Sequence, residues 1–133
     1  MINDYLEQQA ETITKLKESS DTIQKIFDVI LDAREGEKGI YVMGNGGSAS
    51  TATHFVSDLL KTSITKDKKR FKAVSLSDNI PVILAWSNDK SYDSIFVEQL
   101  KNFLKDGDIV IAISGSGNSQ NAINAVNYAN EIN

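Results

Sequence analysis

Twice in this chain a short apolar run ends in a turn of glycine, serine and asparagine that opens directly onto a helical pattern. Gly39 to Met43 leads into Gly44-Asn45-Gly46-Gly47-Ser48, and Asp108 to Ile113 leads into Ser114-Gly115-Ser116-Gly117-Asn118-Ser119. Between these two units Phe71 to Leu76 reads as a further strand, so strands alternate with helices, the pattern of a parallel sheet covered on both faces. The second apolar run, with Ile109, Val110, Ile111, Ala112 and Ile113 nearly unbroken, predicts a strand buried on both faces.

The helices follow from spacing and end signals. Residues 2–34 form one long helix by their apolar positions Ile13, Leu16, Ile23, Phe27 and Ile30, with Gly36 as its stop. Its stripe is narrow, so it packs either on its own sheet or on another subunit. A helix runs from Ser48 to about Lys61. Another is capped by Asp78 or Asn79, with Pro81 in its first turn, and reaches Trp86, whose ring belongs to the packing. Tyr92 to Leu104 is the next, and the last starts at Asn118. Three strands make a thin sheet, and the chain stops after a helix, so the expectation is a doubly wound fold incomplete at its C-terminus.

Glycine turns at helix N-termini have a chemical use. Unpaired backbone N–H groups and the positive end of the helix dipole attract an anion, and without Cβ the backbone can come close to it. Ser114, Ser116 and Ser119 add hydroxyl donors beside the N–H groups of Gly117, Asn118 and Ser119, a set that suits a phosphate monoester. The same residues also make ordinary loops and caps. Two such turns in corresponding positions favour the ligand, because open α/β sheets bind at the carboxyl ends of their strands.

Composition narrows the partners. With 41% hydrophobic and 24% charged residues among 133, this is one globular domain, and a formal charge of −4 argues against a nucleic-acid ligand. The basic run Lys66-Asp67-Lys68-Lys69-Arg70 reads as a solvated loop. No membrane span or signal peptide is legible and cysteine is absent, so a cytoplasmic location is expected. The set Gly44-x-Gly46-x-x-Ala49 also satisfies a dinucleotide fingerprint, but the acidic residue expected at the end of the second strand is displaced to Asp78.

Gly44-Asn45-Gly46-Gly47-Ser48 with Ala49, Thr53, His54 and Phe55, then Ser77-Asp78-Asn79, Trp86-Ser87-Asn88-Asp89 and Ile113-Ser114-Gly115-Ser116-Gly117-Asn118-Ser119, resembles the sugar isomerase (SIS) domain family, phosphoheptose isomerase type, over essentially the whole chain. The resemblance implies a three-layer SIS-type α/β fold, residues 1–34 being an oligomerisation helix and 37–133 the sugar-phosphate-binding core. It also implies interconversion of sedoheptulose 7-phosphate and D-glycero-D-manno-heptose 7-phosphate for bacterial surface heptoses, a homotetramer or dimer, and zinc. Asn45, Gly46, Gly47, Ser48, Asn88, Asp89, Ser114, Gly115, Ser116 and Ser119 would line the substrate pocket. Asp89 also reads as a cap before the helix at Tyr92.

Aldose-ketose isomerisation needs a base that moves a proton between adjacent carbons and a group that polarises the carbonyl oxygen. His54 and Asp58, four residues apart on one helical face, offer an acid/base pair or a metal ligand pair; such a pair is also common on plain surfaces. The resemblance puts His54 on a zinc-ligand position and Asp58 where many relatives carry a glutamate that serves as ligand and base. The family's remaining metal and acid/base residues, a glutamine or glutamate and a histidine, come from a C-terminal helix without a counterpart here, and His54 is the only histidine. The alternative function is therefore a non-catalytic phosphosugar-binding module, regulatory or associated with a replication initiator.

Overall fold

The computed structural model describes residues 1–132 in two compact units, Met1–Asp32 and the chain from Ala33 onward. The first unit is helical throughout. Helix α1 (Ile2–Lys15) passes through a 3-10 turn (Leu16–Ser19) into α2 (Ser20–Glu35), so the expected single helix is tightened at its middle. Ile13, Leu16, Ile23 and Phe27 lie along one shallow apolar groove and are all about half exposed or more. The helix ends one residue later than glycine placement suggests. The left-handed residue is Glu37 (φ 56°), with Lys38 N–H bonded to the Ala33 carbonyl and Glu37 N–H to that of Arg34, while Gly36 precedes it. Glu37 is kept anionic by Lys69 first and then by Lys72, each 3.5 Å away.

The second unit carries the sheet. Its elements are β1 (Gly39–Gly44), α3 (Gly47–Ser57) ending in a π turn (Asp58–Thr62), β2 (Lys72–Ser75), α4 (Ile80–Asp89), a 3-10 turn (Tyr92–Ser94), α5 (Val97–Phe103), β3 (Ile109–Ile113) and α6 (Gln120–Ile132). All strand pairs are parallel, in the order β2-β1-β3, with Ile40 opposite both Ala73 and Ile109. The chain steps from β1 to one side and then returns to the other. Right-handed crossovers in opposite directions put helices on opposite faces of the sheet, which is what doubly wound means.

Residue type explains the order. Ile40, Val42 and Met43 are fully buried in β1, the central strand, and alternate between faces. Met43 joins Leu76, Ile95, Phe96, Leu100 and Ala125 in one cluster, against which Trp86, Val110 and Ala112 pack. Ile40 and Val42 face the other way, where α3 buries Ala52 and Val56. β2 alternates exposed Lys72 and Val74 with buried Ala73 and Ser75, as an edge strand does. β3 departs from expectation: every residue in it is only half-buried, because it is the other edge of the sheet and β1 takes the centre.

Two helices also differ from the sequence reading. The Tyr92–Leu104 segment splits into a 3-10 turn and α5, with the neighbours Ile95 and Phe96 both buried at 1% exposure at the joint between them. The helix expected to reach Lys61 widens at Asp58, whose carbonyl accepts the Ser63 N–H in a π-type bond. Asn79, rather than Asp78, caps α4 through the Val82 N–H. The strand starts are joined by buried Asp108, which accepts the N–H groups of Gly39 and Lys105.

Buried Glu98 on α5 makes acid sensitivity testable. Its hydrogen bond to Lys90, supported by Lys101, holds its carboxyl below the usual range despite burial. A depressed folded pKa contributes stability above the unfolded pKa, which is lost as pH falls through the folded value. Glu98→Gln should therefore lower stability at pH 7 in urea unfolding, with the gap to the parent closing below about pH 4. A gap that stays constant down to pH 3 would contradict this.

Candidate functional site

In a doubly wound sheet of order 2-1-3 the crevice opens where adjacent strands send their chains in opposite directions, between the carboxyl ends of β1 and β3. Both glycine turns stand at that point, the first after β1 and the second after β3. Their local chemistry is what brings each there. Gly44 is held so close to α3 that a Cβ would come 2.6 Å from the Ser48 backbone, and Gly46 starts α3 at φ 53°, ψ −121°, a conformation left to glycine. Around Gly46, Gly47 and Gly115, by contrast, the space where a Cβ would stand is open.

The first turn is tied by side chains to α6 and to the 3-10 turn at Tyr92. The Asn45 amide Nδ2 donates to Oδ1 of Asn121 and the Asn121 Nδ2 donates to Oδ1 of Asn45, both at 2.9 Å, and the Tyr92 hydroxyl donates to the same Asn45 oxygen at 2.8 Å. Asn121 is 2% exposed. Neither Asn121 nor Tyr92 stands out among the expected pocket residues. The legible signal was that Asn121 falls on the same stripe as Ala125 and Ala129, a polar residue where an apolar one belongs. Ser77 makes a third link: its hydroxyl donates to the Gly44 carbonyl and accepts the Gly44 N–H, tying the end of β2 to the first turn.

The second turn is partly closed on itself. Ser114 and Ser119 hydroxyls lie 3.2 Å apart. The Gly117 N–H, however, donates to the Ser114 hydroxyl and the Asn118 N–H to that of Ser116. These two N–H groups, expected to face an anion, are thus spent within the loop, and α6 begins at Gln120 with the Ser119 carbonyl accepting its first bonds. Ser116 and Gly115 are exposed at the rim.

His54 projects from α3 beside a hollow of about 630 Å³ lined by Ala49, Ser50, Thr53, Ser57 and Ser77, and with Asp58, the first residue of the π turn, it lines a second hollow of about 400 Å³ alongside Ser50, Thr51 and Phe55. His54 Nε2 is 3.6 Å from Asp58 Oδ2, and the Thr62 hydroxyl donates to Asp58 Oδ1 at 2.9 Å. Both side chains are more than half exposed. Thr53 bonds Asp78, so the acidic residue weighed for a dinucleotide ribose is engaged by α3. A catalytic zinc takes three protein ligands and keeps one position open. Here His54 and Asp58 supply two, and among the described residues no three His, Cys, Asp or Glu side chains come together. These residues alone do not compose a zinc centre.

Asn88 and Asp89 stand apart from this network. They end α4, both exposed, and the Asn88 amide donates to the Asp89 carboxylate at 2.7 Å. Asp89 is no cap for the segment at Tyr92, because Ser91 takes that position and Asp89 is the last residue of α4. Trp86 packs against the core cluster, as expected. Among the described residues no helix is long and apolar enough to cross a membrane.

The geometry has relatives. A family model described as SIS domain matches residues 4–133. A protein of Thermoplasma acidophilum named probable phosphoheptose isomerase is 39% identical over 128 residues, which is 96% of this chain and 69% of the relative. The phosphoheptose isomerase of Clostridium acetobutylicum is 36% identical over 92% of this chain, which spans 62% of that relative's length. Among solved structures, a phosphoheptose isomerase from Francisella tularensis superposes with a TM-score of 0.91 at 26% identity, covering 98% of this chain and 69% of the other.

Proposed function

The chain belongs to the SIS domain family, in its phosphoheptose isomerase branch, and from that premise we propose that it binds a phosphorylated ketose at the β1/β3 crevice and takes part in its isomerisation to the aldose. The supporting observation is the meeting of two glycine turns at the switch point, with His54 and Asp58 on the helix that leaves the first of them. In this reading the phosphate lies against Ser114, Ser116, Ser119 and Gly115, and the sugar lies over Asn45, Gly46, Gly47 and Ser48. Rotation of the Ser114 and Ser116 hydroxyls toward phosphate would release the N–H groups they now hold. Asn88 and Asp89 would contact the far end of the sugar.

Asp58 is the base. Its carboxylate takes a proton from the carbon beside the ketone, the electron pair forms the enediolate, and the proton returns to the former carbonyl carbon to give the aldose. His54, beside it, donates to the oxygen that gains charge and takes the proton back from the neighbouring hydroxyl. The zinc expected from the resemblance enters no step here, since the residues in hand supply only two donors. Self-association through the apolar stripe of α1 and α2 accompanies the reading, supported by the exposure of Ile13 and Phe27 and readable by sedimentation equilibrium.

The same incompleteness around His54 and Asp58 favours a second reading, a phosphosugar-binding module without turnover. An isomerase assay on sedoheptulose 7-phosphate, with and without added zinc, run beside calorimetric titration of the same compound, separates them. Aldose formation supports the isomerase. Binding without turnover leaves the module, and no binding overturns both.

A further inference from the structure

We infer that Asn121 and Tyr92 are positioning residues that lock the Asn45 amide in one orientation, so that Asn45 meets its ligand only as a donor, toward an accepting oxygen. The inference rests on the phosphosugar reading and specifies which kind of atom that site recognises next to the first turn.

The orientation follows from a chain of hydrogen bonds. Oδ1 of Asn121 shares the Ala122 N–H, at 2.9 Å, with the Ser119 carbonyl, and the reversed amide would set Nδ2–H against that N–H, which assigns the oxygen to this end. That oxygen also faces the Asn45 amide at 2.9 Å, so the group opposite it must be Nδ2, and the reciprocal bond then sets Asn45 Oδ1 against Asn121 Nδ2. The Tyr92 hydroxyl adds a second donor to Asn45 Oδ1 at 2.8 Å. An amide oxygen has two lone pairs, and both are now used. Flipping Asn45 would set N–H against N–H at Asn121 and forfeit the pair, and Asn121 is too deeply buried for water to replace the lost partner.

What remains is one hydrogen on Asn45 Nδ2. Asn45 is half-buried at the crevice between the turns, so this hydrogen is what it offers a ligand. It fits a keto oxygen, the accepting lone pair of a sugar hydroxyl or an ionised phosphate oxygen. It cannot receive a hydroxyl proton. The same bonds make the geometry of the first turn depend on α6 and on the 3-10 turn before α5, so the first turn is held against both before any ligand arrives.

A thermodynamic cycle tests the assignment with sedoheptulose 7-phosphate and inorganic phosphate as separate titrants. Tyr92→Phe should weaken the sugar phosphate about tenfold and inorganic phosphate by less than about twofold. In an Asn45→Ala background the Tyr92→Phe change should add less than about twofold, since it acts through Asn45. An equal loss in both backgrounds, or none in either, overturns the inference. Side-chain amide exchange read by NMR decides it without any ligand. The Asn45 amide hydrogen that faces Asn121 should exchange far more slowly than those of exposed Asn118, and Asn121→Leu, which leaves that hydrogen no acceptor, should abolish the protection. Fast exchange of that inner hydrogen in the parent protein would refute the lock. Failure of the parent to bind sedoheptulose 7-phosphate would instead refute the phosphosugar reading and leave the exchange result standing.

Discussion

Gly44→Ala is expected to destabilise the protein by about 3 kcal/mol, lowering its thermal midpoint by roughly 10 °C. The new methyl would stand 2.6 Å from the backbone carbon and oxygen of Ser48 and 2.8 Å from its Cβ. Nothing nearby can give way cheaply. Met43 before it is fully buried, and the Gly44 N–H and carbonyl are both bonded to Ser77. Relief therefore requires moving the first turn of α3, and with it buried Ala52. Gly46→Ala meets no atoms but is strained at φ 53°, so about 1–3 kcal/mol is expected there. Gly47→Ala meets neither obstacle and should change stability by less than about 0.5 kcal/mol. Thermal unfolding of the three variants checks the order. If Gly44→Ala proved as harmless as Gly47→Ala, the close approach of α3 to β1 would be wrong, and the crevice built on it as well.

On the proposed isomerase reading, Asp58→Asn should reduce turnover on the order of a thousandfold while leaving sedoheptulose 7-phosphate affinity within about threefold. The substitution keeps shape and keeps an oxygen for the Thr62 hydroxyl. It removes only the basic carboxylate beside His54, and because the side chain is 53% exposed the fold has little stake in it. A kcat loss with affinity retained is the signature of a group that acts in the transition state. Equal losses in affinity and turnover would place Asp58 in substrate binding instead, and unchanged turnover would remove it from the chemistry. The π turn that starts at Asp58 gives a further handle: its widened backbone sets where the shorter aspartate arm ends. Asp58→Glu then reports whether arm length or backbone position governs the rate, because a displacement of about 1 Å is worth roughly a hundredfold.

Much of the candidate site's backbone arrangement was legible in the sequence because it is local. A glycine turn after an apolar strand declares itself within ten residues, and His54 and Asp58 share a face through nothing more than helical spacing. The second turn was legible in composition but not in bonding, since which acceptor takes the Gly117 and Asn118 N–H groups depends on how the loop closes. Asn88 and Asp89 were named by resemblance, and the bond the structure gives them is to each other.

The sequence alone determined the element types, the parallel alternation and the two glycine turns, because propensity, periodicity and helix end signals act over a few residues. Only the tertiary structure decided that β1 is central and apolar β3 an edge, that the Tyr92–Leu104 segment is divided at Ile95 and Phe96, and that Asn45 is paired with Asn121. Those features join residues as many as 76 positions apart. They are selected by the packing of the whole sheet and by the cost of leaving a buried amide unpaired, and neither is written in any short stretch of chain.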